Sequence, residues 1–279
     1  MFHIRKAIVP AAGLGKRLLP ATLAVPKELL PIGREPMLLR TLREVRDAEI
    51  EQVAVIVAGG DRFIEEFLFD PPSVKVAGER EVEEAREILS ALKIAILRQP
   101  EPKGLGDALG LAREFAGDDP FAVALPDNVF FGSTGPLSQL VPVFERHGGH
   151  VTGLIRITRE EASTFGNCGS VQVEAIGNGE YRVTALGDKG AGFSAVKGSR
   201  KAFRWYARHI FLPSFFDYLE RFGVEVHGEV DDVPVLKGLV AEEGIVGKLL
   251  VGKGFDAGNE RGFLATQRYL WGEVSRSWK

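Results

Sequence analysis

The sequence predicts an α/β fold, with a Rossmann-like mixed, mostly parallel sheet, helices on both of its faces and an added β-hairpin. Three observations support this prediction. Short apolar segments alternate with segments of helical periodicity along the 279 residues. Glycine-bearing loops follow two of the apolar segments, which is typical of the ligand-binding edge of a parallel sheet. Two segments of alternating polarity flank a Gly-Asn-Gly turn, which predicts the hairpin.

The composition is that of an ordinary soluble globular protein, with 45% hydrophobic and 26% charged residues. No apolar run approaches the roughly 20 residues of a membrane span, and the N-terminus lacks the layout of a signal peptide. We therefore expect a cytoplasmic protein without membrane contact. Cys168 is the only cysteine, which excludes an intrachain disulfide and a cysteine metal cluster. A net charge of −3, with both signs mixed along the chain, gives no electrostatic case for binding nucleic acid.

The segment 7–31 carries the strongest functional signal. Its residues 7–12 are apolar and predict a strand buried on both faces. Gly13 and Gly15 then allow the backbone to turn tightly and to bring its N–H groups close to a ligand. Two basic residues follow at once, so the expected ligand is an anion.

Two prolines divide the rest of this segment. Pro20 and Pro26 exclude one long helix, so Lys27 and Glu28 are expected on a separate turn that folds back toward the glycines. The P-loop pattern fails here because no Gly-Lys-Ser/Thr ending is present, and the dinucleotide fingerprint fails because its third glycine is missing. A glycine pair alone would also suit a plain strand-to-helix turn.

The next residues continue the alternation of helix and strand. Apolar residues at helical spacing predict a helix within 37–50, and the apolar segment 52–57 predicts a buried strand, which together favour a right-handed parallel unit. Asp61 can cap a short helix that ends before Asp-Pro-Pro at 70–72. A charged helix at 79–92 and a strand at 94–97 follow.

A second glycine-bearing loop comes directly after the strand at 94–97. It contains Gln99, Lys103, Gly104 and Gly106 and leads into an amphipathic helix. Its glycines could let a flat base lie against the backbone, and the Gln99 amide could supply a donor and an acceptor to an imide edge. A plain helix N-terminus with glycines for packing explains the same residues equally well.

Two aspartates follow predicted strands. Asp127 follows the apolar strand 121–126, where it can cap a turn or hold Mg2+ beside substrate phosphates. Asp256 lies in Asp-Ala-Gly-Asn before the final helix, a pattern that on its own predicts only an N-cap and a turn. The other predicted elements are helices at 136–147, 214–222, from about 231 and 260–274, strands at 151–157, 203–211 and 245–251, and hairpin strands at 169–176 and 180–186.

The string P-A-A-G-L-G-K-R-L-L-P-A-T at 10–22, followed by P-K-E-L-L-P at 26–31, resembles the signature of the bacterial sugar-1-phosphate nucleotidylyltransferases. Within them it is most similar to the uridylyltransferases, which use UTP and glucose-1-phosphate. The motifs K-G-L-G-x-A, L-P-D and D-x-G-N occur in the same order further along the chain. The resemblance implies transfer of UMP to the sugar phosphate, with Mg2+ as cofactor.

The resemblance also implies a role for each matching residue. The implied catalytic residues are Arg17, Lys27, Asp127 and Lys189, and the implied Mg2+ ligands are Asp127 and Asp256. The implied nucleotide-binding residues are Ala11, Ala12, Gly13, Leu14, Gly15, Glu28, Gln99 and Gly104. The implied sugar-phosphate-binding residues are Gly169, Asp188, Lys189 and Glu229.

The sequence departs from the family pattern mainly on the sugar side. Asp188-Lys189-Gly190 stands in place of E-K-P, Ala207-Arg208-His209 in place of G-R-Y, and the segment 230–236 has drifted from the family's I-Q-L-T-D. Nearer the N-terminus, Lys16 replaces a common Thr and Leu23 a common Lys. Arg208 and His209 could line the pocket, although such residues are more often structural.

We expect a single domain, with a nucleotide-binding half at about 1–147, a sugar-binding half at about 148–259 and a C-terminal helix at about 260–279. A homo-oligomer, dimer or tetramer, is expected, and apolar residues of the closing segment either form its interface or pack on the chain's own core. Two functional alternatives stay open: a thymidylyltransferase or an enzyme for another sugar-1-phosphate, and a regulatory subunit that binds nucleotide sugars without turnover.

Overall fold

The computed structural model describes residues 3–69, 79–166, 170–187, 200–226 and 228–277. Within these residues the chain builds a nine-stranded sheet. Its strands, in spatial order, are Lys93–Gln99, Gln52–Ala58, Lys6–Ala11, Phe121–Ala124, Lys201–Phe211, His150–Thr158, Ile245–Leu249, Glu180–Leu186 and Val171–Gly177. Seven of the nine run in one direction, and the strands Lys201–Phe211 and Glu180–Leu186 run against them. The predicted mixed, mostly parallel sheet and its added hairpin are confirmed.

Helices cover both faces of this sheet, as predicted. Successive residues of the first strand belong to different cores, because side chains alternate across a strand. Val9 packs in the core beside the helices Met37–Asp47 and Pro136–His147, whereas Ile8 packs in the core beside Phe215–Phe222. The α-helices of the described residues are Met37–Asp47, Phe63–Phe69, Glu79–Ser90, Gly104–Gly110, Arg113–Ala116, Pro136–His147, Arg159–Ala162, Phe215–Phe222, Val233–Glu242 and Glu260–Ser277.

The segment after the first strand is broken at its prolines, as expected. Three short 3-10 helices, Lys16–Leu18, Ala21–Leu23 and Lys27–Leu29, replace the excluded long helix. Pro20 and Pro26 each stand directly before one of them. The turn Lys27–Leu29 therefore has its own direction and lies back against the glycine loop.

A small two-stranded sheet beside the large one was not predicted. The strands Asn128–Phe131 and Lys253–Asp256 pair antiparallel, and Asp256 is opposite Asn128. The sequence expectation of one strand at 245–251 that leads to Asp256 is wrong, because Ile245–Leu249 ends earlier and a separate strand carries Asp256. Asp127 likewise lies in a turn after the strand Phe121–Ala124, not at the end of that strand.

The second glycine loop also differs from its prediction. Gly104 and Gly106 lie inside the short helix Gly104–Gly110, and a second short helix, Arg113–Ala116, follows it. The sequence predicted one longer amphipathic helix after the glycines. Gly104, the first residue of the helix Gly104–Gly110, has φ of +90°, a conformation that a side chain would strain.

Candidate active site

Two cavities open at the carboxyl ends of the central strands. The first, which we call the glycine-loop cavity, has a volume of about 460 Å³ and is bordered by Ala12, Gly13, Leu14, Gly15, Lys16, Arg17, Lys27, Glu28, Gln99, Gly104, Asp127, Glu229 and Gly258, among others. The second, the aromatic cavity, has a volume of about 230 Å³ and is bordered mostly by apolar residues, together with Arg17, Asp127, Asn128, His209, Asp232 and Asp256. Arg17 and Asp127 border both cavities, so the two meet at these side chains.

The glycine loop is shaped by two close approaches. Gly15 has φ of +61°, and the hydroxyl of Thr22 donates to its carbonyl oxygen at 3.0 Å. A β-carbon on Gly13 would lie 3.1 Å from Cε of Lys27, so glycine lets the lysine cross the loop. The side chain of Ala11, predicted to bind nucleotide, is only 2% exposed and packs in the core, whereas Ala12 borders the cavity.

Lys27 and Asp127 form a short ion pair, in which Lys27 borders the glycine-loop cavity and Asp127 borders both cavities. Lys27 Nζ lies 2.5 Å from Asp127 Oδ2 and 3.7 Å from Glu28 Oε1. Burial disfavours the charge on Lys27, but the carboxylates of Asp127 and Glu28 outweigh it and raise the lysine pKa. Burial likewise opposes ionisation of Asp127, but Lys27 outweighs it and lowers the pKa of that carboxyl. The amide nitrogen of Asn128 donates to Asp127 Oδ1 at 3.0 Å.

Glu28 is a buried carboxyl whose oxygens have no hydrogen-bond partner in the described structure. It is 1% exposed and borders the glycine-loop cavity. Burial raises its pKa to about 8, against the lowering effect of Lys27. Buried polar groups without partners are uncommon in native structures and costly, so this side chain is suited to a ligand.

Asp127 and Asp256 converge on one point, as the sequence predicted. A β-carbon on Gly258 would collide with Asp127 Oδ2 and lie 3.1 Å from Asp256 Oδ1. The backbone joins the two segments as well, because the N–H of Ala257 donates to the carbonyl oxygen of Asp127 at 2.7 Å. Burial and then the charge of Asp127 raise the pKa of Asp256. Only a glycine leaves this space open between the two carboxyl groups.

The surroundings of this pair suit a hard divalent cation. Two neighbouring carboxylates repel each other, and a cation bound between them stabilises both charges. Mg2+ commonly binds one or two carboxylates together with phosphate oxygens. The backbone N–H of Gly166 donates to Asp256 Oδ2 at 2.6 Å, and a β-carbon on Gly166 would collide with the guanidinium of Arg17. Across the described residues, no group of three or more His, Cys, Asp or Glu side chains is arranged to hold a metal ion.

The Gln99 loop is tied together by its own side chains. Gln99 Nε2 donates to Asp107 Oδ2 at 2.7 Å and to the carbonyl oxygen of Gly104 at 3.1 Å. Both Gly104 and Gly106 pack against Val230. A β-carbon on Gly104 would lie 3.0 Å from the backbone N of Val230, and one on Gly106 would lie 2.8 Å from Cγ1 of Val230. The glycines are therefore explained by packing against the small strand Glu229–Asp231, and their expected role in seating a base is not needed to explain them.

The aromatic cavity has a wall of four neighbouring rings, in which His209, Phe211 and Phe215 are stacked and Trp205 is tilted by 35° against His209. Trp205, His209, Phe211 and Phe215 follow one another with centroid distances of 5.3, 5.1 and 4.6 Å. The indole N–H of Trp205 donates to His209 Nε2 at 3.2 Å, so the proton of this neutral imidazole is on Nδ1, which lies 2.8 Å from the Thr152 hydroxyl. Burial, followed by the charge of Arg208, lowers the pKa of His209 to about 3.

The remaining predicted residues are placed unevenly. Gly169, Asp188 and Lys189 lie outside the described residues. Glu229 is exposed, borders the glycine-loop cavity, and has its Cβ 2.9 Å from where a β-carbon of Gly104 would be. Of the two residues expected on the strand Lys201–Phe211, His209 lines the aromatic cavity and Arg208 is buried behind it.

The sequence model of the nucleotidyl transferase family matches residues 6–222, well over half of the chain. The chain belongs to the nucleotidyl transferase family. This nucleotidyl transferase is 34% identical over 276 residues to the UTP–glucose-1-phosphate uridylyltransferase of Bacillus subtilis (strain 168), with 95% of this chain and 90% of the relative covered. It is 32% identical over 277 residues to the enzyme of the same name from Mycoplasma pneumoniae, with 96% and 93% covered.

The nucleotidyl transferase has the same fold as several solved structures. A UDP-glucose pyrophosphorylase complexed with UDP-glucose superposes with a TM-score of 0.84 at 24% identity, covering 97% of this chain and 99% of that one. A UTP-bound enzyme of this kind from Acinetobacter baumannii gives a TM-score of 0.78 at 23% identity, covering 96% and 93%. Among the described residues of the nucleotidyl transferase, no helix is both long and apolar enough to cross a membrane.

Proposed function

We propose that this nucleotidyl transferase transfers UMP from UTP to glucose-1-phosphate, giving UDP-glucose and pyrophosphate. The observation that carries the proposal is the meeting of two cavities at Arg17 and Asp127, with Lys27 and Asp256 beside them. A reaction between two phosphate-bearing substrates needs two adjoining sites that share cationic and metal-binding groups. We take the two substrates from the names of the relatives, which are UTP–glucose-1-phosphate uridylyltransferases.

UTP occupies the glycine-loop cavity in this proposal. The backbone N–H groups at Gly13 and Gly15 bind the phosphates, and the positive charges of Arg17 and Lys27 offset the negative charge of the phosphates. Arg17, on the exposed rim, steadies the charge that develops on the departing pyrophosphate. Lys27 is fixed by its ion pair near the α-phosphate, so its position is set before the substrate arrives.

The uracil ring lies against Glu28 and the Gln99 loop. A carboxyl that holds its proton offers one donor and one acceptor, the pattern complementary to an imide N–H with a neighbouring carbonyl. Glu28 has both oxygens without partners and a pKa of about 8, and therefore matches that edge.

Glucose-1-phosphate occupies the aromatic cavity. Its phosphate faces Arg17 and Asp127 at the mouth, and its ring lies toward the aromatic wall that includes Trp205. From the family resemblance, Lys189 contacts the sugar phosphate, while Gly169, Asp188 and Glu229 contact the sugar. These contacts are expectations from the sequence motifs.

The chemistry requires charge balance more than proton transfer. An oxygen of the glucose-1-phosphate phosphate attacks the α-phosphorus of UTP, and the bond to the β-phosphate oxygen breaks to release pyrophosphate. The nucleophile is already an anion at neutral pH, so no general base is required. Asp127 and Asp256 would hold Mg2+, which when bound offsets the repulsion between the substrates' phosphates. Lys27 and Arg17 supply the remaining positive charge.

Three further expectations belong to the same proposal. The protein acts in the cytoplasm, assembles as a homo-oligomer, and folds as one domain whose two halves supply the two cavities. The nine-stranded sheet supports the last of these, since it contains strands from both halves. Sedimentation or light scattering of the purified chain measures the oligomeric state directly.

Pyrophosphate release tests the proposal. With UTP, glucose-1-phosphate and Mg2+, we expect turnover that disappears when either substrate or the metal is omitted. Parallel assays replace UTP by dTTP or CTP and glucose-1-phosphate by other sugar phosphates. Faster turnover with dTTP would favour a thymidylyltransferase. Binding of UDP-glucose without turnover of any pair would overturn the enzyme assignment in favour of a regulatory subunit.

A further inference from the structure

Arg208 holds the backbone on both sides of Asp127. Its Nη1 donates to the carbonyl oxygens of Leu125 at 2.8 Å and Ala207 at 3.0 Å, and its Nη2 donates to that of Asn128 at 3.0 Å. Leu125 and Asn128 are the two ends of the turn that carries Asp127, since the N–H of Asn128 donates to the carbonyl oxygen of Leu125 at 3.2 Å. One guanidinium thus joins both ends of this turn.

Glu44, on the helix Met37–Asp47, fixes the direction of that guanidinium. Its two carboxylate oxygens accept from Arg208 Nε and Nη2, each at 2.9 Å. Glu44 Oε1 also accepts from the backbone N–H of Leu137 at 3.1 Å, at the start of the helix Pro136–His147. All five guanidinium N–H groups are therefore engaged. The side chains of Arg208 and Glu44 are 2% and 9% exposed, so either one alone would be a buried, unpaired charge.

An irregularity of the strand Lys201–Phe211 places Arg208 in this position. The pairing of this strand with His150–Thr158 slips between Tyr206 and His209, and Arg208 lies within the slip. Bulges of this kind re-aim side chains and are frequent beside active sites. Arg208 lines neither of the two active-site cavities.

We propose that Arg208, oriented by Glu44, is a positioning residue that aims the Asp127 carboxylate at the divalent cation shared with Asp256. The inference rests on the proposed function, which assigns that cation to the two aspartates. A turn held at both ends keeps the carboxylate within the narrow range of positions that an in-line transfer tolerates, where a shift of about 1 Å can cost about 10²-fold in rate.

The test compares variants of the full chain by Mn2+ binding and by kinetics. Arg208→Lys keeps a positive charge but has only three donors on one nitrogen, so it cannot serve Glu44, Leu125 and Asn128 together. Because this variant can leave Glu44 poorly paired and fail to fold, the double variant Glu44→Gln with Arg208→Met removes both charges and keeps the volume. The matched control is Glu180→Gln, which weakens the ion pair between the buried Glu180 carboxylate and the half-exposed Arg146, and Glu180 borders neither active-site cavity.

Mn2+ affinity is measured by electron paramagnetic resonance in the presence of UTP and without the sugar phosphate, so the readout does not depend on turnover. We expect the Arg208 variants to bind Mn2+ about tenfold more weakly, as loss of an outer contact does at other metal sites. We also expect kcat to fall about 10²-fold while KM for UTP stays near the wild-type value. Glu180→Gln should lower thermal stability and leave Mn2+ affinity unchanged.

Two results would overturn the inference. Folded Arg208 variants with wild-type Mn2+ affinity would show that Arg208 is only structural, and the proposed function would stand. An equal loss of Mn2+ affinity in Glu180→Gln would show that general destabilisation causes the effect. Absence of turnover in a wild-type protein that binds Mn2+ normally would instead overturn the proposed function and leave the role of Arg208 in metal binding to be judged by the Mn2+ titration.

Discussion

At the level of single residues, the active site depends on carboxyl groups whose charges are set by their neighbours. Asp127 has Lys27 at 2.5 Å, whereas Asp256 has backbone N–H donors from Gly166 and Gly258 at 2.6 and 2.9 Å. The pKa of Asp127 is lowered and that of Asp256 is raised. The two aspartates are therefore not equivalent, and a cation placed between them would remove the difference by favouring both charges.

Replacing either aspartate should stop the reaction without unfolding the protein. In Asp127→Asn or Asp256→Asn an amide replaces a carboxylate of almost the same shape, so the metal loses a charged ligand while packing is retained. We expect pyrophosphate release to fall by at least about 10²–10³-fold, the usual cost of losing one preorganised transition-state contact. Asp119→Asn is the control, since that carboxylate is exposed and pairs with Lys6. Near-normal turnover in either active-site variant would contradict the metal assignment.

Glu28 should make the stability of the free protein depend on pH. Its carboxyl keeps its proton up to about pH 8 in the folded chain, whereas its ordinary pKa is 4.5. Between these values the unfolded chain binds fewer protons than the folded chain, so the free energy of unfolding falls as pH rises. Glu28→Gln has no titrating group at this position, so its free energy of unfolding lacks this dependence on pH. Between pH 5 and pH 8 the variant should therefore become more stable relative to wild type, by at most roughly 1.4 kcal/mol for each unit by which folding raises the Glu28 pKa.

The measurement is urea unfolding of both proteins at several pH values without divalent cations or nucleotide. Parallel curves of unfolding free energy against pH would show that Glu28 is ionised throughout and would remove the physical basis for its pairing with an imide. The same variant should still bind UTP, because an amide offers the donor and the acceptor that a protonated carboxyl offers, and competition binding measures this independently of stability.

At the level of secondary-structure elements, the helix Gly104–Gly110 links the nucleotide side to the small strand Glu229–Asp231. The N–H of Val230 donates to the carbonyl oxygen of Lys103 at 2.6 Å, and the glycines of the helix allow this close approach. A residue predicted to contact the sugar, Glu229, thus stands beside the loop predicted to hold the base. A shift of either element would therefore displace the other.

Two glycines of this helix should respond differently to alanine. A β-carbon at Gly106 would lie 2.8 Å from Cγ1 and 3.0 Å from the carbonyl oxygen of Val230, whereas one at Gly110 would meet only the flexible end of Leu219 at 3.3 Å. We expect Gly106→Ala to destabilise by about 1–3 kcal/mol and to raise KM for UTP. Gly110→Ala should change stability little or improve it by up to about 1 kcal/mol. Urea unfolding of both variants checks this, and equal effects would contradict the packing explanation.

Hydrophobic pattern predicted the large elements well, because a buried strand or an amphipathic helix needs a recognisable spacing of apolar residues. The helix Pro136–His147 has the bounds that its pattern predicts. The pair Asn128–Phe131 and Lys253–Asp256 was missed because these strands are four residues each and pair over a long distance in sequence. Such short strands have too few residues to show a period.

The same limit applies within the active site. The family motifs implied that Lys27, Asp127 and Asp256 share one site, and the structure brings them together, although Lys27 lies on a short 3-10 helix and Asp256 on the small sheet. The position of Arg208 was not predictable, because it depends on a slip in strand pairing between Tyr206 and His209 that leaves no mark in the sequence. The close pairing of Glu229 with Gly104 depends in the same way on tertiary contact.

At the level of the whole molecule, the fold sets two cavities on either side of one wall. The central strands bring the glycine loop and the turn of Asp127 to the same edge, and the small sheet brings Asp256 to that turn. The antiparallel strand Lys201–Phe211 supplies the aromatic wall on the other side. The arrangement suits transfer between two bound substrates, because each cavity reaches Arg17 and Asp127 from a different direction.

The most direct test of this arrangement is the location of the metal. Crystals grown with Mn2+ and UDP-glucose, measured at the manganese absorption edge, give an anomalous difference map that marks the ion. We expect one peak contacted by carboxylate oxygens of both Asp127 and Asp256, at the junction of the two cavities. A peak held by only one of these carboxylates, or one located elsewhere in the molecule, would contradict it.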